Sequence, residues 1–147
     1  MSLQLRKAVP ADLETLVRYS DALNAEDGHP LQVPVRPVLE QLLADETLGA
    51  AFVIKRDGVA VGSVFMCFGF SIEFGGRDAI VDEIYIEPAA RGMGIGDWVL
   101  KEMDAWARAH GLVALHLEVM ADNPALRLYQ RNGYADRQSV FMSKRFV

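Results

Sequence analysis

The stretch Arg91-Gly92-Met93-Gly94-Ile95-Gly96 constrains the fold of this chain more than any other, because of what flanks it. Upstream, Ile80-Val81-Asp82-Glu83-Ile84-Tyr85-Ile86 has the β-branched and aromatic make-up of a strand. Downstream, Asp97 to His110 carries Val99, Leu100, Met103, Trp106 and Ala107 at helical spacing, with Gly111 as a stop. Glycines at alternate positions between a strand and a helix let the backbone turn several N–H groups toward one point. Those amides and the positive end of the helix dipole suit a phosphate or pyrophosphate. The expectation is an α/β chain with an anionic cofactor seated at a strand–helix junction.

The remaining elements follow from local chemistry. Leu3 to Lys7 reads as a first strand, and Pro10 opens a helix to about residue 25 with Leu13, Leu16, Val17 and Leu23 on one side. Gly28-His29-Pro30 ends it, and Pro34 and Pro37 keep the chain irregular until a short helix from Val38 to Ala44. Ala50 to Lys55 and Val59 to Phe70 are strands about the Asp57-Gly58 hairpin signal. Gly75-Gly76-Arg77-Asp78 marks a second reversal, into the strand that ends at Ile86. After the long helix, Val113 to Met120 is a strand. Asn123 as N-cap and Pro124 as first residue open a short helix to Gly133, and Ser139 to Phe146 is a last strand. The order β-α-α-β-β-β-α-β-α-β, without repeat or linker, predicts one mixed-sheet α/β domain over residues 1–147.

Composition narrows the partners. A net charge of −5 argues against a nucleic-acid binder, which shows a basic patch, and sits more easily with a cationic partner. A single cysteine, Cys67, excludes an internal disulfide framework and fits a reducing compartment. No stretch approaches the roughly 18 apolar residues of a membrane span. The N-terminus lacks the apolar core of a signal peptide, so the expectation is a cytoplasmic protein.

Three anion-binding patterns compete for the glycine segment, beside a plain glycine-rich turn that binds nothing. A P-loop requires a Gly-Lys-Ser/Thr ending that this chain lacks. A dinucleotide fingerprint would use Gly92 and Gly94, with Glu118 as the ribose acid, but its third glycine position holds Asp97. The stretch from Glu83 through Pro88 and Arg91 to Gly96 resembles the acyl-CoA pyrophosphate turn of the GNAT superfamily of N-acyltransferases. The segment Asn123-Pro124-Ala125-Leu126-Arg127-Leu128-Tyr129-Gln130-Arg131-Asn132-Gly133-Tyr134 resembles the Asn-x-x-Ala-x-x-x-Tyr-x-x-x-Gly-Phe/Tyr block of the same family. The element order agrees along the whole chain.

The resemblance implies acetyl-CoA as donor, and no His, Cys or Asp spacing in the chain suggests a metal site. Ile84, Tyr85 and Ile86 would offer backbone groups to the pantetheine arm. The turn from Arg91 through Gly92, Met93, Gly94, Ile95 and Gly96 to Asp97 would hold the pyrophosphate. Asn123 would steady the pantetheine or its loop, and Tyr129 would lie near the thioester sulfur. A homodimer is that family's common habit.

Acetyl transfer to an amine needs a base for a group that is protonated at neutral pH, a donor for the developing oxyanion, and an acid for the thiolate. A strand amide near Ile84 could serve the oxyanion and Tyr129 could be the acid, or Tyr129 could be a core residue beside Leu126 and Leu128. Glu83 and Asp82 are the candidate bases, working through a water. Glu83 matches the family motif's usual Glu, and Asp82 the acid of polyamine-acetylating members. An undistorted strand would send the two to opposite faces, and a bulge would re-aim them. Either could instead be a structural ion pair.

Weaker candidates are His116 and Glu118 on one strand face, and Glu73, whose segment loosely resembles the acceptor loop of small-amine acetyltransferases. Cys67 lacks a positioned histidine, which favours direct transfer. The acceptor expected is a small cationic amine. A protein N-terminus or lysine, or a non-catalytic acyl-CoA sensor, are the alternatives.

Overall fold

The structure, a computed structural model, describes residues Met1–Val147. Five strands form one sheet in chain order: β1 (Leu3–Lys7), β2 (Gly49–Arg56), β3 (Val59–Ser71), β4 (Gly76–Ile86) and β5 (Ala114–His116). The first four are antiparallel neighbours, and β5 joins β4 in parallel after a helical crossover. Helices α1 (Leu13–Asp27) and α2 (Val35–Ala44) cover one face; α3 (Ile95–Ala109) covers the other. A short α4 (Leu126–Arg131) follows β5. No helix is long and apolar enough to cross a membrane.

Burial on both faces explains the β2 sequence. Ala50, Phe52 and Ile54 meet α3, whereas Ala51 and Val53 meet α1 and α2, so the strand is apolar at successive positions instead of alternating. On α3, Ile95, Val99, Leu100, Met103 and Ala107 recur at helical spacing, and all are buried. Each large side chain so buried is worth about 1.5–3 kcal/mol. The larger of the two clusters lies on the α3 side, directly behind the glycine turn.

Several element bounds depart from the sequence expectation. Pro10 opens a 3-10 turn (Pro10–Asp12) before α1 begins at Leu13. Helix α2 starts at Val35 and takes Pro37 within its first turn, where a missing N–H costs nothing. The short helix starts at Leu126; Asn123 instead closes the preceding turn by accepting the Ala125 amide at 2.9 Å. Strand β5 stops at His116, so Glu118 lies beyond it and is exposed.

The expected last strand, Ser139 to Phe146, is not formed. Its apolar residues Val140, Phe141, Met142 and Phe146 are exposed. A strand needs an edge to pair with, and the β4–β5 ladder ends after three residue pairs, leaving β5 too short to offer one.

Candidate active site

The glycine turn is built from backbone. Gly92 and Gly94 sit at φ of 75° and 80°, with open space where a Cβ would stand, so the requirement for glycine is conformational. None of the amides from Gly92 to Asp97 donates to a protein acceptor. Unpaired donors at the N-terminus of a long helix fit a pyrophosphate. The side chains around them act as braces. Asp97 accepts from Arg131 Nε and Nη2, both at 2.9 Å, and from Asn132 Nδ2 at 2.8 Å. Arg131 and Asn132 hold its carboxyl down to about 2. Arg91 folds back, donating from Nε to the Ile86 carbonyl at 2.8 Å and from Nη2 to Glu26 on α1 at 2.8 and 3.0 Å. Met93 meets Arg56 of β2, whose Nη1 lies 3.0 Å from the sulfur.

Beside this turn the sheet splays. Strands β4 and β5 pair only from Asp78↔Ala114 to Ile80↔His116. Beyond Ile80 no strand lies along that edge of β4. Ile84 and Ile86 pack toward α3, while Tyr85 is buried against Tyr19 of α1 with ring centroids 5.4 Å apart. Asn123 spends its side-chain oxygen on Ala125, leaving its Nδ2 group without a protein partner.

The two adjacent acids stand at a β-bulge. Phe65 pairs with Glu83 and Met66 with Val81, so Asp82 is the extra residue. Val81 packs into the α3-side core, yet Glu83, two positions on, reaches Ser20 on α1. Alternation places Asp82 on the α1 side as well, and the bulge returns Glu83 to it. The charges of both acids push the Cys67 thiol up, after the larger effect of burial.

Glu83 Oε2 accepts from Ser20 Oγ at 3.1 Å, and Oε1 is buried without a partner. Burial pushes this carboxyl up to about 7, with the negative charges of Asp82 and Asp21 adding and the Ser20 bond opposing. It is therefore poised to exchange a proton near neutrality.

Tyr129 lies on α4, held edge-on to Tyr134 with centroids 6.0 Å apart. Its hydroxyl bonds to no protein group, and burial, then Asp27, raise its pKa. No hydrogen bond links it to Asp82 or Glu83. The adjacent Leu128 packs on Gly96, where an added Cβ would come within 3.0 Å, so α4 carries Tyr129 along the turn.

Farther along the α1 side, His116 Nε2 lies 2.8 Å from Asp78 Oδ2, and Phe74 packs edge-on to the imidazole. Gly69, opposite Asp78, makes room for it: an added Cβ would meet Asp78 Oδ1 at 2.8 Å. Glu73 accepts from Arg137 at 2.6 Å. His110 stacks on Trp106 at the end of α3, and His29 is exposed in the loop after α1. No cluster of three His, Cys, Asp or Glu side chains could hold a metal.

Sequence reasoning missed Ser20, Asn24, Asp78 and Arg56. The one available signal was Ser20 and Asn24, polar residues four apart in line with the apolar face of α1 at Leu16 and Tyr19. Asp78 and Arg56 are ordinary strand-end charges until register places them.

Residues 16–134 match the model of the acetyltransferase (GNAT) family. An IAA acetyltransferase from Azospirillum brasilense is 34% identical over 137 residues, spanning 90% of this chain and 80% of the relative. Among solved structures, an integron cassette protein from the mobile metagenome of Cole Harbour Salt Marsh superposes with a TM-score of 0.85 at 27% identity, over 98% of this chain and 91% of its own. A structure described as a "predicted acetyltransferase with acetyl-CoA", from Clostridium acetobutylicum, shares the fold with a TM-score of 0.80 at 17% identity, over 97% and 96% of the two chains. With the family model covering most of its length and the unpaired glycine turn in its place, this chain belongs to the GNAT family of acetyltransferases.

Proposed function

We propose that this enzyme moves an acetyl group from acetyl-CoA directly to a primary amine, and that the amine is a small cation. The observation that carries the reading is Glu83: a carboxyl raised to about 7, at a bulge beside the unpaired edge of β4, with one oxygen unpartnered. The donor end rests on the free amides of Gly92 to Asp97, which suit a pyrophosphate. Arg56, standing against Met93, adds a positive charge there. When bound, acetyl-CoA supplies the acetyl group as an activated thioester.

The chain's own groups do the rest. Glu83, ionised at and above neutral pH, takes a proton from the acceptor ammonium through a water. A free amide of β4 near Ile84 donates to the carbonyl oxygen as negative charge builds there. The neutral amine forms the C–N bond. As the C–S bond breaks, Tyr129, kept protonated because burial raises its pKa, gives its proton to the departing sulfur. The proton lost from the nitrogen goes to solvent and restores the phenol. Cys67, although exposed at the surface, is a poor nucleophile, since partial desolvation and the two acids raise its thiol pKa.

A cationic acceptor is supported by the acids on the part of the α1 face that the helices leave open. Asp82 and Glu83 stand together at the bulge, Asp78 lies farther along β4, and the exposed Ile80 between them gives an apolar stem somewhere to rest. The Azospirillum relative's name supports acetyl transfer without naming this chain's acceptor. A thiol-release assay against polyamines, amino-acid derivatives, aminoglycosides, neutral monoamines and peptides tests the reading. Fastest turnover is expected with a small polycation. Binding of acetyl-CoA without release against any amine would replace the enzyme by a sensor, and turnover of peptides alone would replace the acceptor class.

A further inference from the structure

Glu83 is held from α1, by residues outside the glycine turn and the Tyr129 block. Ser20 is only 1% exposed, one of two buried polar residues in the chain. A buried serine within a helix ordinarily turns its hydroxyl back to the carbonyl one turn earlier. Here the Ser20 hydroxyl leaves the helix and donates to Glu83 Oε2 at 3.1 Å. One turn on, Asn24 Nδ2 donates to the Ser20 carbonyl at 2.8 Å, and its carboxamide stands close enough to Glu83 to favour the ionised carboxylate as well. We propose that Ser20, with Asn24 one turn on, is the positioning residue for Glu83: it anchors Oε2 to α1 and holds the carboxyl in the orientation from which it works on the acceptor. This rests on the reading of Glu83 as the base.

The geometry gives the pair two consequences. A side chain as long as glutamate has rotamers that would carry its carboxyl out to solvent, and the Ser20 bond selects the inward one. A donor to the carboxylate also favours the ionised form, against burial and against Asp82 on β4 and Asp21 on α1; the remaining titratable neighbour is the Cys67 thiol on β3. Ser20 thus sets the pH at which the base becomes available. Without it the carboxyl would stay protonated to higher pH.

The test follows Glu83 itself and the reaction separately. In protein carrying 13C-labelled glutamate, the Glu83 carboxyl is titrated by NMR in the parent, Ser20→Ala and Asn24→Ala, alongside the pH profile of kcat. Removing the Ser20 hydroxyl is expected to raise the Glu83 midpoint by roughly one pH unit, with a smaller rise for Asn24→Ala. The ascending limb of kcat should move with it. Activity at pH 6.5 would fall roughly five- to tenfold and recover by pH 9, with acetyl-CoA affinity unchanged. A Glu83 midpoint that stays put in both variants, with circular dichroism matching the parent, overturns the positioning role. A midpoint that moves while the kcat limb does not would keep the contact but remove Glu83 as base, and with it the catalytic half of the proposal. Should Ser20→Ala not fold, the same two readouts on Asn24→Ala decide.

Discussion

On the proposed reading, the donor side and the acceptor side of this enzyme are made of different material. The donor side is backbone: amides from Gly92 to Asp97 at the start of α3, freed by two left-handed glycines and braced by the Asp97–Arg131–Asn132 contacts. The acceptor side is side chains, gathered from α1, β3, β4 and β5 and aimed by one extra residue at Asp82. A backbone site tolerates almost any side chain that leaves φ alone. A side-chain site is lost with one carboxyl or one slip of register. Substitutions should therefore divide cleanly between binding and turnover.

The sharpest break is Glu83→Gln. Removing the proposed base should cost about 1,000-fold in kcat, within the usual range for general base catalysis, with acetyl-CoA affinity unchanged by calorimetry. The rise in kcat through about pH 7 should vanish as well. A parallel loss of cofactor affinity would mean that the two sides are not separable. Gly94→Val is the converse. Valine cannot hold φ of 80° without strain of about 1–3 kcal/mol, so the turn relaxes and its amides disperse. Acetyl-CoA should bind about 100-fold more weakly while thermal unfolding stays cooperative. Unchanged affinity would remove the turn from the cofactor site.

Tyr129→Phe tests the join, because α4 touches the glycine turn through Leu128 yet carries the proposed acid. Turnover should fall about 100-fold with affinity preserved. Equal losses in both would make Tyr129 a packing residue and return it to the donor side.

The same contrast explains what was legible in the sequence. Glycine spacing reports backbone conformation directly, so the turn, its flanking strand and helix, and the Asp57-Gly58 hairpin could all be read from the chain. Element order and the mixed sheet followed from periodicity. The bulge could be raised only as a condition on Asp82 and Glu83, because a register shift depends on how β3 and β4 meet. Ser20 was hidden among the core positions of α1, and Asp78 acquires meaning only when β5 brings His116 beside it. The expected last strand fails for the same reason: the apolar run Val140-Phe141-Met142 gives strand propensity, but no paired edge is there to accept it.

Stability against pH offers a readout of Glu83 that does not involve catalysis. Its folded-state value, about 7, lies above the ordinary 4.5, so between those pH values the folded protein keeps a proton that the unfolded chain has released. The contribution of Glu83 to stability is thus present below about pH 4.5, falls as pH rises to about 7, and is flat beyond. Glu83→Gln should match the parent in acid and exceed it above pH 7 by about 2 kcal/mol, allowing for solvent screening of a half-buried carboxyl. Denaturant melts at pH 4 and pH 8 suffice. Equal gains at both would show that glutamine merely packs better.

Asp82 should give the smallest effect and the one most specific to the acceptor. It is exposed at the bulge, so it meets a substrate cation through water at high effective dielectric, where a pair of charges about 4 Å apart is worth about 1 kcal/mol. Asp82→Asn should accordingly raise KM about fivefold for a dication and leave a neutral-tailed monoamine unaffected, with kcat little changed. Screening supplies the control: at about 1 M salt the Debye length shrinks to about 3 Å, and the difference between parent and variant should close. A KM that rises equally for both amines, or ignores salt, would mean that Asp82 shapes the bulge and does not read charge. Selectivity for cations would then have to come from Glu83 and Asp78, the less exposed acids of the same face.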